Sequence, residues 1–331
     1  MVNQVSLAST TTWLRRAARW NWVEYAFWVV PIAAYFVFPD DLALLSQMAI
    51  TALFALSLDL VLGYAGIISL GQAALFGIGA YIAGLIALHG WTDPLLGLAA
   101  AAAGSAAFGF ATSFLVLRGA DLTRLMVTLG LALLLYAVAN QYTSLTGGLD
   151  GLQGISVAPL LGRFTFGLYG RVAYIYCTVM LFLAFFVVRR LTHSPFGLSL
   201  RGLHQNARRV PALGMSVRAR LVAAYTLGAA LAGIAGALLT QTTQFVSIDV
   251  LSFERSADVL LMVVLGGTGT LYGAMIGAVA FMLVHNMLSN LNPQYWQFWM
   301  GAALVLVVML ARGGIVGGVR QVAQRPWWRS R

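Results

Sequence analysis

The sequence predicts an all-α, polytopic transmembrane helix bundle of about ten spans, with a weak internal repeat and glycine-broken segments. Three observations lead there. Of the 331 residues, 60% are hydrophobic and only 9% charged, and the mean hydropathy is +0.84, a balance that excludes an ordinary soluble enzyme. The apolar residues gather into segments near the roughly 20 residues a helix needs to cross a bilayer, separated by short polar turns. Finally, the 20 basic residues, all of them arginine, fall overwhelmingly on alternate connections.

Taken in order, the apolar segments run roughly 22–38, 42–62, 71–88, 94–117, 122–140, 169–188, 219–240, 257–271, 273–290 and 294–311. The first follows Arg15, Arg16 and Arg19 as a secretory signal would. It runs into Phe38-Pro39-Asp40-Asp41 without a small-residue cleavage site, so it is expected to stay as a span. An even number of spans puts both termini on one side. Arg15, Arg16, Arg19, Arg118, Arg124, the arginines between Arg189 and Arg220, and those from Arg312 to Arg331 all share that side, leaving only Arg163, Arg171 and Arg255 opposite. The positive-inside rule makes the arginine-rich side cytoplasmic. Trp20, Trp22, Trp28, Trp91, Tyr295, Trp296 and Trp299 suit the interfaces. The expected organisation is a cytoplasmic segment 1–21, a membrane domain 22–312 and a basic cytoplasmic tail 313–331, with no room for a second soluble domain.

Packing signals lie inside the spans. Gly228, Ala232 and Gly236 make a small-residue ridge at four-residue spacing; Ala101, Ser105 and Gly109 make another, and Gly273 with Gly277 a third. Such ridges let helices approach closely in lipid, in membrane bundles of many functions.

A polar block from Ser194 to Gly214 interrupts the apolar pattern. Its arginines would each cost several kcal/mol in hydrocarbon, roughly 2.5–3.5 on insertion scales, so it belongs in water. Ser194 can cap a helix and Pro195 can occupy its first turn. Phe196, Leu200, Leu203, Ala207 and Val210 then share one face, while Arg201, His204, Gln205, Asn206, Arg208 and Arg209 cover the rest, and Pro211 and Gly214 end it. A short amphipathic helix of about 195–214 on the cytoplasmic side is a docking element for a soluble partner.

Two stretches resemble each other: Val61-Leu62-Gly63-Tyr64-Ala65-Gly66-Ile67-Ile68-Ser69-Leu70-Gly71 and Val264-Leu265-Gly266-Gly267-Thr268-Gly269-Thr270-Leu271-Tyr272-Gly273. Each is a glycine-rich break between apolar segments, in the corresponding part of its half. Paired breaks of this kind point to a translocation pathway, because interrupted helices free backbone groups to line a cavity. The alternative is a pair of tight turns. Asp59, in the span before the first break, is an intramembrane ionisable candidate or a solvated helix-end carboxylate. The loop 144–154 is glycine-rich and expected outside; without a lysine or a strand–loop–helix context it is no phosphate loop. Cys177 is the single cysteine, and His89, His193, His204 and His285 are scattered without ligand spacing, so no disulfide or metal cluster is expected.

These residues resemble a known family. Gly63-Tyr64-Ala65-Gly66, then Ser69-Leu70-Gly71-Gln72-Ala73-Ala74 and Gly77-Ile78-Gly79-Ala80-Tyr81, are similar to the signature of LivM-type permeases, membrane subunits of bacterial ABC importers for branched-chain amino acids. Leu145-Thr146-Gly147-Gly148 with Gly151, the block from Ser194 to Gly214, the run 231–238 and the run 264–273 match further blocks in the same order. The resemblance implies a second, homologous permease, two ATPase subunits docked on the coupling helices, a periplasmic substrate-binding protein, and a multi-pass place in the bacterial inner membrane among its lipids. It implies ATPase-coupling roles for Arg201, His204, Gln205, Asn206, Arg208, Arg209 and Gly214. It also implies pathway roles for Asp59, Gly63, Gly66, Ser69, Gln72, Gly266, Gly267 and Gly269. ATP and magnesium would sit on the partners: with no lysine, this chain holds no G-x-x-x-x-G-K-[ST] loop, binds no cofactor of its own and is no enzyme. No nucleic-acid role is expected despite the net charge of +10. Departures from the family pattern are Leu198 where an arginine is common, His204-Gln205 in place of Arg-Glu, and Gln72 where a histidine is frequent. Urea or short amides are the alternative substrates on this scaffold. A stand-alone secondary transporter or channel would need more buried charge than Asp59, and Asp258 near the opposite face, provide.

Overall fold

The computed structural model describes residues 22–119, 121–160, 162, 164, 170–206, 210–291, 294, 295, 298–302, 305, 314, 315 and 317. Among them the secondary structure is helical, with isolated bridges at Leu152–Val246 and Leu160–Phe164 and no named strand. The helices are α1 (Trp22–Val37), α2 (Leu42–Asp59), which continues into a π-helical turn (Leu60–Tyr64), α3 (Gln72–Leu88), α4 (Pro94–Val116) and α5 (Asp121–Gln141). They are followed by α6 (Arg171–Thr192), α7 (Pro195–Asn206), α8 (Val217–Thr243), α9 (Phe253–Gly266) and α10 (Leu271–Leu291).

Six of these helices are long and apolar enough to cross a membrane: α2 with its π turn, α4, α5, α6, α8 and α10. Residues 24–37 of α1, and α3, are apolar but shorter. The chain is therefore a multi-pass membrane bundle. At its centre stand α2 and α8, buried over 78% and 67% of their apolar cores against 28% for α4 and 17% for α5.

Small residues explain how α8 reaches that position. A Cβ on Gly233 would strike the Ser105 side chain of α4, and one on Gly236 would strike the Phe76 carbonyl of α3. Ser105 also donates to the Leu75 carbonyl at 3.1 Å, tying α4 to α3. The Ala101–Ser105–Gly109 ridge of α4 thus packs on Ala229 and Gly233 of α8, while Gly228 and Gly236 of the other ridge face α2 and α3. Gly277 does the same for α10, where a Cβ would meet the backbone of Met262 and Gly266. On the other side of α2, Glu24 of α1 pairs with Arg189 of α6 at 2.6 Å, with side chains only 17% and 6% exposed. A charge pair this enclosed holds only because each partner satisfies the other.

Two sequence expectations need correction. The Ser194 hydroxyl donates to the Leu191 carbonyl at 2.6 Å, so it closes α6 instead of capping α7; Pro195 does open α7. Helix α7 is described over Pro195–Asn206 and a 3-10 turn spans Val210–Leu213, with 207–209 between them outside the described residues. The helix expected at 257–271 is α9, which starts earlier and stops at Gly266. Ser252 caps it, accepting from the Arg255 amide at 3.2 Å, and so draws Glu254 and Arg255 into the helix. With 14 residues α9 spans only about 21 Å, too short to cross about 30 Å of hydrocarbon alone. The 3-10 turn Ile248–Leu251 before it packs Leu251 against Gly77 of α3, so the connection runs inside the bundle.

Candidate functional site

The two glycine-broken stretches meet. They lie 206 positions apart at Gly63 and Gly269, yet a Cβ on Gly63 would come within 2.7 Å of the Gly269 Cα. Asp59, fully buried, links them: its Oδ1 accepts from the Gly269 amide at 2.7 Å. Its Oδ2 is buried with no hydrogen-bond partner among the described residues. The contact depends on the π turn, where the chain leaves α-helical register: the Gly66 amide donates to the Leu62 carbonyl at 3.1 Å and the Ile67 amide to Val61 at 3.0 Å. One-turn π segments of this sort recur at functional sites. Gly66 and Gly269 hold φ of +69° and +75°, a region that favours glycine. Gly267, at φ +109°, lies next to Gly314, where a Cβ would come within 2.6 Å of the Gly267 Cα.

Helix α7 docks on the same place. A Cβ on Gly66 would come within 2.6 Å of the His204 Nδ1. The Arg201 guanidinium lies 5.0 Å from the centre of the Tyr64 ring, on the π turn. Of the apolar face read from the sequence, Leu200, Leu203 and Val210 are buried and Phe196 is half-buried under Arg220, 5.4 Å from its ring, while Ala207 lies outside the described residues. Gln205 and Asn206 are exposed, as is Gly214 at φ +76°. Arg208 and Arg209 lie outside the described residues.

The first break is held by hydroxyls and an amide. Ser69 is buried, its Oγ accepting from the Gly71 amide at 3.2 Å. Gln72 is buried and donates to the Ser57 Oγ at 3.0 Å. Thr128 Oγ1 on α5 accepts from the Leu70 amide at 3.1 Å, and Ser256 Oγ on α9 accepts from the Ala73 amide at 3.0 Å. Ser57 and Ser256 were missed by sequence reading. Their signal was a hydroxyl in an apolar run, too common to single out. The structure therefore gathers Asp59, Gly63, Gly66, Gly269, Arg201 and His204 around one junction, with Gly266 and Gly267 leading into it from α9, while Ser69 and Gln72 belong to a separate hydrogen-bonded set with Ser57, Thr128 and Ser256.

A polytopic helical bundle with two broken helices joined at its core and an amphipathic helix seated on the joint has the build of a transport permease. The chain belongs to the family described as branched-chain amino acid transport system / permease component, whose model matches residues 42–309. It is 31% identical over 302 residues to the high-affinity branched-chain amino acid transport system permease protein LivM of Escherichia coli, covering 83% of this chain and 69% of that one. It is 24% identical over 283 residues to the high-affinity branched-chain amino acid transport system permease protein LivH of Escherichia coli, covering 80% of this chain and 91% of that one. Against BraD of Pseudomonas aeruginosa the identity is 27% over 286 residues, again with 80% and 91% covered. No solved structure matched. Membership in a permease family makes this chain a transport component and not an enzyme.

Proposed function

We propose that the chain is the permease subunit of an ABC importer that moves branched-chain or related amino acids into the cell by alternating access. The observation that carries the mechanism is the junction at Asp59. One side chain binds the second broken segment, while α7 rests on the first through Gly66 and Tyr64. A push on α7 is thereby passed to both breaks at once, and helices freed from continuous backbone bonding can tilt about them.

In this reading the exposed residues Gln205 and Asn206, with Arg208 and Arg209 beyond them, face two ATPase subunits, which bind ATP and magnesium. The absence of lysine, and with it of a phosphate loop, supports placing that chemistry on partners. Likeness to both LivM and LivH supports pairing with a homologous permease, and a periplasmic binding protein delivers the solute. In this reading the chain crosses the inner membrane about ten times, the six long apolar helices among these crossings. That count puts 1–21, α7 and 313–331 in the cytoplasm, in keeping with the arginine bias.

The test is purification of the tagged chain from native membranes followed by identification of what comes with it, then leucine uptake in proteoliposomes. Recovery of two ATPases and a second permease, with ATP-driven uptake once a binding protein is added, is expected. A chain recovered alone and active in vesicles without ATP overturns the importer reading.

A further inference from the structure

A second site lies far from the junction, at the opposite end of the bundle. There the N-terminal half of α2, the start of α9 and the C-terminal half of α10 enclose a cavity of about 350 Å³. That volume falls in the range of small-molecule sites, about 300–1,000 Å³. Its polar lining is Arg255, Asp258, Gln47, His285 and Asn286. Its apolar lining includes Ile50, Val259, Met262 and Phe281. A groove lined by Asp249, Glu254 and Ser247 adjoins it and shares Arg255 and Asp258, giving it an outward mouth.

The charges stand where the cavity meets that groove, Arg255 half-buried and Asp258 exposed. Arg255 and Asp258 are one turn apart on α9 and both line the cavity, yet no ion pair joins them within 4.0 Å. Arg255 lies against the Phe76 ring, 5.4 Å from its centre, which fixes the cation without neutralising it. It sits three residues past the Ser252 cap, in the first turn of α9, where the helix dipole also favours an anion. A cation at a helix start, a carboxylate one turn on, and the apolar side chains of Ile50, Val259, Met262 and Phe281 in the same cavity form a pattern that complements an α-amino acid with an apolar side chain.

We propose that this cavity is an amino-acid site within the permease: Arg255 and the first turn of α9 take the carboxylate, Asp258 takes the ammonium, and the Ile50–Val259–Met262–Phe281 wall takes the side chain. The inference rests on the amino-acid reading of the transported solute. It adds that the permease itself reads the zwitterion after delivery and before passage.

The experiment uses the assembled transporter in nanodiscs without binding protein. Equilibrium binding of radiolabelled L-leucine is measured in competition with leucinamide, which lacks the carboxylate, and 4-methylpentanoate, which lacks the ammonium. Each lost charge-assisted hydrogen bond should weaken wild-type binding about tenfold or more. Arg255→Gln should erase the discrimination against leucinamide and Asp258→Asn that against 4-methylpentanoate. Met282→Trp, which fills the half-buried rim and leaves both charges in place, should exclude leucine but retain glycine. Wild-type affinity and discrimination in all three variants, with normal assembly, overturn the site. The outcomes separate this inference from the importer reading. Normal ATP-driven leucine uptake in the three variants rejects the site alone. Leucine binding that depends on Arg255 in a transporter that takes up no amino acid rejects the importer reading alone.

Discussion

Gly66 and Asp59 are the residues on which the junction turns. Gly66 needs both a left-handed backbone and an empty Cβ position beside His204. A leucine there loses about 1–2 kcal/mol to the backbone alone, before the imidazole is displaced. Gly66→Leu should therefore insert normally and lose uptake, and Gly269→Leu should do the same; normal uptake in both would dismiss the junction as a moving part. Asp59 can be dissected by shape. Asp59→Asn keeps an oxygen for the Gly269 amide. Asp59→Leu leaves that buried amide unsatisfied, a cost of about 1–3 kcal/mol. The leucine variant should melt well below the asparagine variant in detergent, and equal melting temperatures would mean the bond contributes nothing. The glycines and Asp59 were legible in the sequence because each breaks a local rule, a flexible residue or a charge amid apolar neighbours. Their partners were not, since nothing local to Gly63 points to a segment some 200 positions away.

Helices α7 and α9 show what element-level reading recovers and where it fails. The buried stripe of α7 followed from its spacing, because helical periodicity is a property of the chain itself. The start of α9 was hidden: Glu254 and Arg255 look like a loop by composition, but Ser252 caps the turn that contains them. If α7 transmits force, its two faces should separate under mutation. Arg201→Ala removes the contact with the Tyr64 ring, a cation–π interaction of about 0.5–2 kcal/mol. That variant should keep its ATPase partners and their hydrolysis yet lose much of its uptake. Arg208→Glu with Arg209→Glu should instead release the partners while leaving membrane insertion intact. Co-purification measured beside uptake tells the two apart, and an Arg201→Ala variant that sheds its ATPases would make α7 a simple docking peg.

For the whole molecule, charge and packing constrain the same object independently. The arginine bias orients the chain using only its connections. The small-residue ridges on α4 and α8 set how closely the helices meet, whichever way the bundle faces. Only the orientation decides whether α7 can meet a cytoplasmic ATPase and whether the Arg255 cavity opens to the outside. Both functional readings thus hang on one topological fact, and the chain offers a clean way to measure it. Its single cysteine, Cys177, is fully buried, so Cys177→Ala provides a silent background. Gln153 and Gln205 are both exposed, one in the loop between α5 and α6 and the other on α7. With a membrane-impermeant maleimide, Gln153→Cys should label in right-side-out vesicles and Gln205→Cys only in inside-out ones. The reverse pattern would place α7 beyond the reach of any ATP and turn the cavity toward the cytoplasm, so coupling and delivery would fail together.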